Sequence, residues 1–322
     1  MSSAARAARR PAAAAREARR AVLAVLLLAP AACAAGPGCV AGREDRVPLT
    51  LAAGLPLVPA RINGRPVQLV LDTGASGLAL TPTGAARLRL PVRPDGFQVA
   101  PGAGGAGVVP GVSVALLEFG GLRLDNLSAP VVPSPVLDGL DGGGASGVLG
   151  GDALAGAEIE LDLPARRATT FRGEACRAAA PAWDGASEGL PTWRAADQRL
   201  GVRLRVNGVE LPAILDTGAS RSLISGRAAS RLGPEAAALP GATSEVRGFG
   251  PQVRRAELRR FREVQLGREV LRDVPLLVLD DLPEEAELVL GADLLATRRL
   301  WVSYATGRVF VQPAAAPLPG SG

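Results

Sequence analysis

Two aspartates are the residues of this 322-residue chain best placed to do chemistry together. Each opens the same pentapeptide, Asp72-Thr73-Gly74-Ala75-Ser76 and Asp216-Thr217-Gly218-Ala219-Ser220. Each follows a strand-like apolar run, Pro66 to Leu71 in the first copy and Leu211 to Leu215 in the second. An Asn-Gly pair precedes both at the same offset, Asn63-Gly64 and Asn207-Gly208. Two carboxylates on equivalent tight turns of two related half-chains point to a shared site on a pseudo-two-fold axis. Such a pair can activate water, one carboxyl acting as base and the other as acid.

Composition removes most other chemistry. The chain has no His, and every one of its 36 basic residues is Arg. Without His there is no Ser-His-Asp or Cys-His nucleophile and none of the usual zinc ligand sets, so no metal site is expected. Without Lys there is no Schiff base, Ser-Lys dyad or Walker phosphate loop. Groups that titrate near neutral or acidic pH must be carboxylates or one of the 3 cysteines. The runs Gly102–Gly107 and Gly142–Gly147 fit the dinucleotide-binding spacing, but Pro110 follows the first and Leu149-Gly150 the second, so neither opens a helix. No cofactor is expected.

The formal net charge of +5 resides in residues 1–40, with six Arg against one Glu, and the remainder is about neutral. Nucleic acid is therefore not an expected partner, and the Arg cluster 254–262 reads as a solvated face. Residues 1–40 have the make-up of a signal peptide or lipoprotein leader: basic residues to Arg20, an apolar run Ala21 to Ala29, then small residues. The run is shorter than the roughly 20 residues that span a bilayer. Cys33 is a candidate for lipidation, although Pro30 stands where such signals usually place Leu; otherwise Cys33 leaves with the cleaved leader. In that case Cys39 and Cys176 form an even pair that an oxidising compartment could join, a pairing the sequence does not decide. The expected location is extracytoplasmic, periplasmic or secreted, with membrane contact only through a lipid anchor.

The elements that must hold the aspartates recur in both halves. Each copy opens with a strand, Val58 to Ile62 or Val202 to Val206, turns at Asn-Gly, and returns on a strand ending at the aspartate. Thr81 and Ser225 are placed to cap short helices over 85–88 and 228–232, with Gly233 ending the second. Gly-rich stretches follow at 95–111 and 241–251, then strand-like runs. Both halves next reach an apolar run ending in Gly, at Gly150 and Gly291, and finish on two further strands. Asp152 and Asp293 also match, and read as caps of the helix following each Gly. The reading is an all-β protein of two lobes, 46–173 and 201–312, with a Pro/Ala/Gly-rich linker 174–200 and a disordered tail 313–322. Trp183 and Trp193 are expected to anchor the linker against a lobe.

With Asp-Thr-Gly twice, each followed after a long β stretch by two hydrophobic residues and Gly, the chain resembles the pepsin and retropepsin family of aspartic proteases. It is most similar to bacterial single-chain forms with two fused repeats. The resemblance covers roughly 46–173 and 200–312. It implies two β-barrel lobes related by pseudo-two-fold symmetry, with the active-site cleft between them. It also implies that Asp72 and Asp216 form the catalytic pair of an aspartic endopeptidase. Thr73 and Thr217 would cross-link the loops, Gly74 and Gly218 would allow the sharp turns, and Ser76 and Ser220 would complete the loops. Gly150 and Gly291 would leave room beside them. Gly104, Gly105, Gly248, Phe249 and Gly250 fall where the family's flaps lie, although the pepsin flap tyrosine has no counterpart, Tyr304 being the only Tyr. Ala75 and Ala219 stand where many pepsins carry a hydroxyl, which implies a mildly acidic pH optimum.

The expected partner is a peptide or protein substrate, and the expected active unit a monomer. Two other readings stay open at this point. One is a non-catalytic cleft of the same fold that binds a peptide or envelope polymer; the other is pairing of lobes in trans between chains.

Overall fold

Each half is organised around the hairpin that its Asn-Gly pair predicts. Asn63 and Gly64 take φ of 50° and 75°, and Asn207 and Gly208 take 48° and 84°. This doubly positive turn matches the twist of the strands it joins. Each Asn side chain also accepts from a third strand, from Leu116 N–H at 2.9 Å and Glu263 N–H at 3.1 Å. The computed structural model describes residues 43–313 apart from 101–106, 141–143, 156, 173–179, 186, 196, 198, 234–236, 249–251, 281 and 283–284. The leader with Cys33, the cysteines Cys39 and Cys176, and the tail from 314 lie outside the described residues.

The first turn joins strands Leu55–Ile62 and Arg65–Leu71, and the second joins Leu200–Val206 and Val209–Leu215. Alternation along the return strands sends Val67, Leu69 and Leu71, or Leu211, Ala213 and Leu215, into the core. On its other side each return strand pairs in parallel with a short strand, Gly147–Leu149 or Leu288–Leu290. These are the apolar runs that lead into Gly150 and Gly291, so the strand behind each aspartate is held on both edges.

The second sheet closes into a barrel, because Leu223–Ser225 pairs in parallel with Glu269–Leu279 and Leu200–Val206 meets Arg254–Leu266. In the first lobe Leu55–Ile62 likewise meets Gly107–Phe119 at Arg61↔Glu118 and Ile62↔Leu117. There the other seam is one parallel bridge, Leu80↔Val131. Short helices Pro82–Leu88 and Gly226–Arg231 are capped as expected, by Thr81 Oγ1 accepting from Gly84 N–H (3.0 Å) and Ser225 Oγ from Ala228 N–H (3.1 Å). Both helices begin earlier than the sequence indicates, Pro82 being well suited to a first helical position.

A third sheet takes strands from both halves in the order Arg43–Pro48, Arg167–Arg172, Glu158–Asp162, Arg298–Ser303, Arg308–Pro313 and Glu188–Leu190. At its centre Glu160 faces Trp301. Glu160 follows Gly150 by the same interval as Trp301 follows Gly291, so equivalent positions oppose each other as a two-fold axis requires. One face of this sheet buries Phe171, Trp301 and Phe310 with Trp183. Its two buried carboxylates are satisfied there: Glu158 accepts from Trp301 Nε1 and Ser303 Oγ, and Glu160 from Trp183 Nε1 and Arg299. Trp183 thus anchors the connecting segment, and Trp193 packs with Ala195, Ile214 and Ala286.

Two stretches are more regular than their composition indicates. The connecting segment contains strands Glu188–Leu190 and Thr192–Arg194, which add to the edges of two different sheets. Three residues are too few to display an alternation. The Gly-rich stretches are largely hairpins, Val92–Ala100 with Gly107–Phe119 and Ala237–Val246 with Arg254–Leu266. Their tips, with flap candidates Gly104, Gly105, Phe249 and Gly250, lie outside the described residues, and Gly248 follows the strand Ala237–Val246.

Leu161 is fully buried in the inner strand of the third sheet, opposite Leu300. Leu161→Ala is expected to lower unfolding stability by about 2–5 kcal/mol through lost burial and the cavity left behind. Urea titration would register this as a lower midpoint at unchanged slope.

Candidate functional site

The two aspartate loops are built the same way and locked into each other. Each begins where the return strand ends, with Asp72 N–H donating to Leu149 O and Asp216 N–H to Leu290 O, both at 3.0 Å. Thr73 and Thr217 point into the buried space between the loops and are almost fully enclosed. Thr73 Oγ1 donates to Leu215 O (2.8 Å) and accepts from Thr217 N–H (3.0 Å). Thr217 Oγ1 donates to Leu71 O (2.6 Å) and accepts from Thr73 N–H (3.1 Å). Each hydroxyl uses both its capacities on the opposite loop, so neither half can shift without breaking four bonds.

The glycines show how closely the carboxyls approach. A Cβ at Gly74 would lie 2.3 Å from the carboxyl carbon of Asp216, and one at Gly218 would lie 2.2 Å from that of Asp72. Each carboxyl therefore rests over the glycine of the opposite loop, and the two meet in a hydrogen bond. Asp72 Oδ1 accepts from Gly74 N–H (2.8 Å) and Ala75 N–H (3.0 Å), and Asp216 Oδ1 from Ala219 N–H (2.8 Å). The side chains of Ser76 and Ser220 are exposed; Ser76 steadies its loop through its carbonyl, which accepts from Asp152 N–H at 2.8 Å.

Behind the loops the backbone comes too close for any side chain. A Cβ at Gly150 would lie 2.5 Å from Ala75 O, and one at Gly291 would lie 2.7 Å from Arg221 O. The next amides use this proximity: Gly151 N–H donates to Ala75 O (3.0 Å) and Ala292 N–H to Ala219 O (2.7 Å). Asp152 and Asp293 do not act as the N-caps expected of them. The caps are Gly150 and Gly291, and the carboxylates reach across to the strand beyond each loop. Asp293 Oδ1 accepts from Ser222 N–H (2.9 Å), Ser222 Oγ (2.6 Å) and the helix amide Leu294 N–H (2.9 Å), while Asp152 is bonded by the amides of Ala153, in its own helix, and Leu78. They are loop staples.

Electrostatics distinguish the two carboxyls. Both keep partial exposure, so water reaches them, yet loss of solvation dominates their energetics. Burial, followed by the charge of Asp216, pushes Asp72 well above the usual carboxylate range. Burial also raises Asp216, but the hydrogen bond from Asp72, the Ala219 and Gly218 amides and the positive field of Arg199 hold it back. Two carboxyls this close and this poorly solvated cannot both ionise cheaply, so the pair shares one proton. Arg199 is kept in place by Asp197 (2.7 Å) and Glu285 (3.1 Å). It was not evident from the sequence; comparing the halves would have marked it, because its equivalent before the first Asn-Gly turn is Leu55.

The aspartyl protease family model matches the chain over residues 58–153 and again over 202–294. The chain belongs to the aspartyl protease family. Each matched span opens in the strand before the Asn-Gly turn and closes in the short helix after Gly150 or Gly291, so this aspartyl protease chain carries the family unit twice. No curated protein matches it.

Two outcomes follow from this geometry. Thr73→Val should leave Leu215 O and Thr217 N–H unpaired in a dry environment and cost about 2–4 kcal/mol in denaturant titrations. The pH dependence has a definite sign. A carboxyl raised in the folded state binds its proton more tightly there than in the unfolded chain. Stability should therefore fall as pH rises from the unfolded carboxylate value towards the raised folded one. Asp72→Asn should flatten that fall, as read from urea midpoints across the acidic range.

Proposed function

We propose that this protein is an aspartic endopeptidase that hydrolyses peptide bonds with a water held between Asp72 and Asp216. The observation that carries the reading is the mutual seating of the carboxyls, each over the glycine of the opposite loop. Ionised Asp216 takes a proton from the water as its oxygen attacks the scissile carbonyl carbon. Protonated Asp72 donates to the carbonyl oxygen and neutralises the charge developing there. In the second step Asp216 returns its proton to the amide nitrogen, the carbon–nitrogen bond breaks, and a proton from the diol goes back to Asp72. No covalent intermediate forms.

The paired strands Val92–Ala100 with Gly107–Phe119 and Ala237–Val246 with Arg254–Leu266 serve as flaps over an extended peptide, whose backbone can pair with theirs. The protein acts outside the cytoplasm after removal of its leader, or tethered at Cys33, and works as a monomer. Ala75 and Ala219 offer the pair amides but no hydroxyls. Burial thus outweighs hydrogen bonding to the charged form, which favours a mildly acidic optimum.

Digestion of a peptide library across pH tests this. Wild type should cut internal bonds fastest at about pH 4–6 and be blocked by a pepstatin-like inhibitor, whereas Asp72→Asn and Asp216→Asn should each lose about a thousandfold or more in kcat/KM. Cleavage that survives in both Asn variants, or a rate maximum below about pH 3, would sink the proposal.

A further inference from the structure

The two halves differ at one place beneath the carboxyls. Counted from Gly150 and Gly291, Leu163 and Tyr304 occupy equivalent positions, each just past its inner strand of the shared sheet. Leu163 lines a small apolar cavity together with Thr217 and Ala292. Tyr304 lies instead against Gly151, the equivalent of Ala292, and a Cβ there would come 2.9 Å from the ring carbon Cε1. One half thus carries a Leu–Ala pair and the other a Tyr–Gly pair, the larger ring matched by loss of a methyl. Because Gly151 N–H donates to Ala75 O, the phenol sits beneath the loop that bears Asp72.

Tyr304 is 4% exposed, and its hydroxyl has no hydrogen-bond partner among the described residues. Buried tyrosine hydroxyls nearly always find one, and an orphan is a stability cost that Phe would not carry. The charged groups facing it are Asp72 and Asp216 from the two loops and Arg194 from strand Thr192–Arg194. The Arg194 guanidinium is engaged with the Tyr304 carbonyl oxygen at 2.5 Å. Burial first, then the two carboxylates, raise the phenol far above its ordinary range, so it remains a neutral dipole at any working pH. Asp72 and Asp216 are the carboxylates whose charge acts on it, so the O–H dipole is lowest in energy with its positive end towards the pair.

Resting on the reading of that pair as a water-activating site, we propose that Tyr304 is a positioning residue. Its O–H dipole beneath the Asp72 loop favours the singly ionised pair and sets the lower pH limit of hydrolysis. The equivalent Leu163 supplies no dipole, so the two sides of the symmetric site are electrically unequal.

Tyr304→Phe keeps the ring and removes the dipole. The acid limb of kcat/KM should then move up by about half to one pH unit, with KM little changed. Its urea midpoint below the titration of the pair should equal or exceed that of wild type. The double variant Gly151→Ala/Tyr304→Leu transplants the pair from the other half and should give the same displacement, whereas Gly151→Ala alone should be less stable. Acid limbs coincident with wild type in folded Phe and double variants would overturn the inference. If wild type cleaves no peptide, the hydrolytic function falls and the inference is read from unfolding instead. The Phe variant should carry its loss of stability to higher pH than wild type, and superimposable curves would overturn it.

Discussion

Two carboxyl groups crowded into a poorly solvated cleft repel each other as anions, and the rest of this molecule is arranged to keep them there. Their proximity is tolerable only because one proton is shared and because the loops cannot recoil. The recoil is prevented by Thr73 and Thr217, each bonded to the backbone of the opposite loop rather than its own. That reciprocity demands that both halves present the same loop in the same pose. The duplicated barrels, the parallel strands behind each aspartate and the glycines at 150 and 291 meet this demand.

What could be read from the sequence was whatever rests on local chemistry repeated in both halves. Asn-Gly announces its turn because both residues accept positive φ, and Asp-Thr-Gly announces the loop because no larger residue fits over the opposing carboxyl. Thr81 and Ser225 could be recognised as caps for the same reason. What could not be read depends on contacts between segments far apart in the chain. Asp152 and Asp293 look like helix caps by position, and only the folded loop brings Leu78 and Ser222 within their reach. The hairpins around 95–111 and 241–251 were obscured by glycines that interrupt the alternation without breaking the ladder. Tyr304 gave no signal of its own, since its meaning lies in the contrast with Leu163.

Symmetry is kept where chemistry needs it and relaxed elsewhere. The loops superpose in their bonding, but Arg199 beside Asp216 stands where the first half has Leu55, and Tyr304 where it has Leu163. The first departure acts on charge, and the second also on shape, the ring being matched by Gly151 where the other half has Ala292. A strictly two-fold site would give neither carboxyl a preference for the proton, and the field of Arg199 on Asp216 breaks that tie. The sheet shared by both halves lets such differences accumulate safely, because its central pair, Glu160 opposite Trp301, is satisfied by groups from each side.

The unequal seams of the two barrels carry their own consequence. The second lobe is sealed by a run of paired residues from Leu223 to Ser225, whereas the first relies on Leu80 meeting Val131. Fewer hydrogen bonds must open together to part the first seam, so local unfolding should begin there while the other lobe stays closed. On that count the N-terminal lobe should be the pliant jaw and the C-terminal lobe the fixed one.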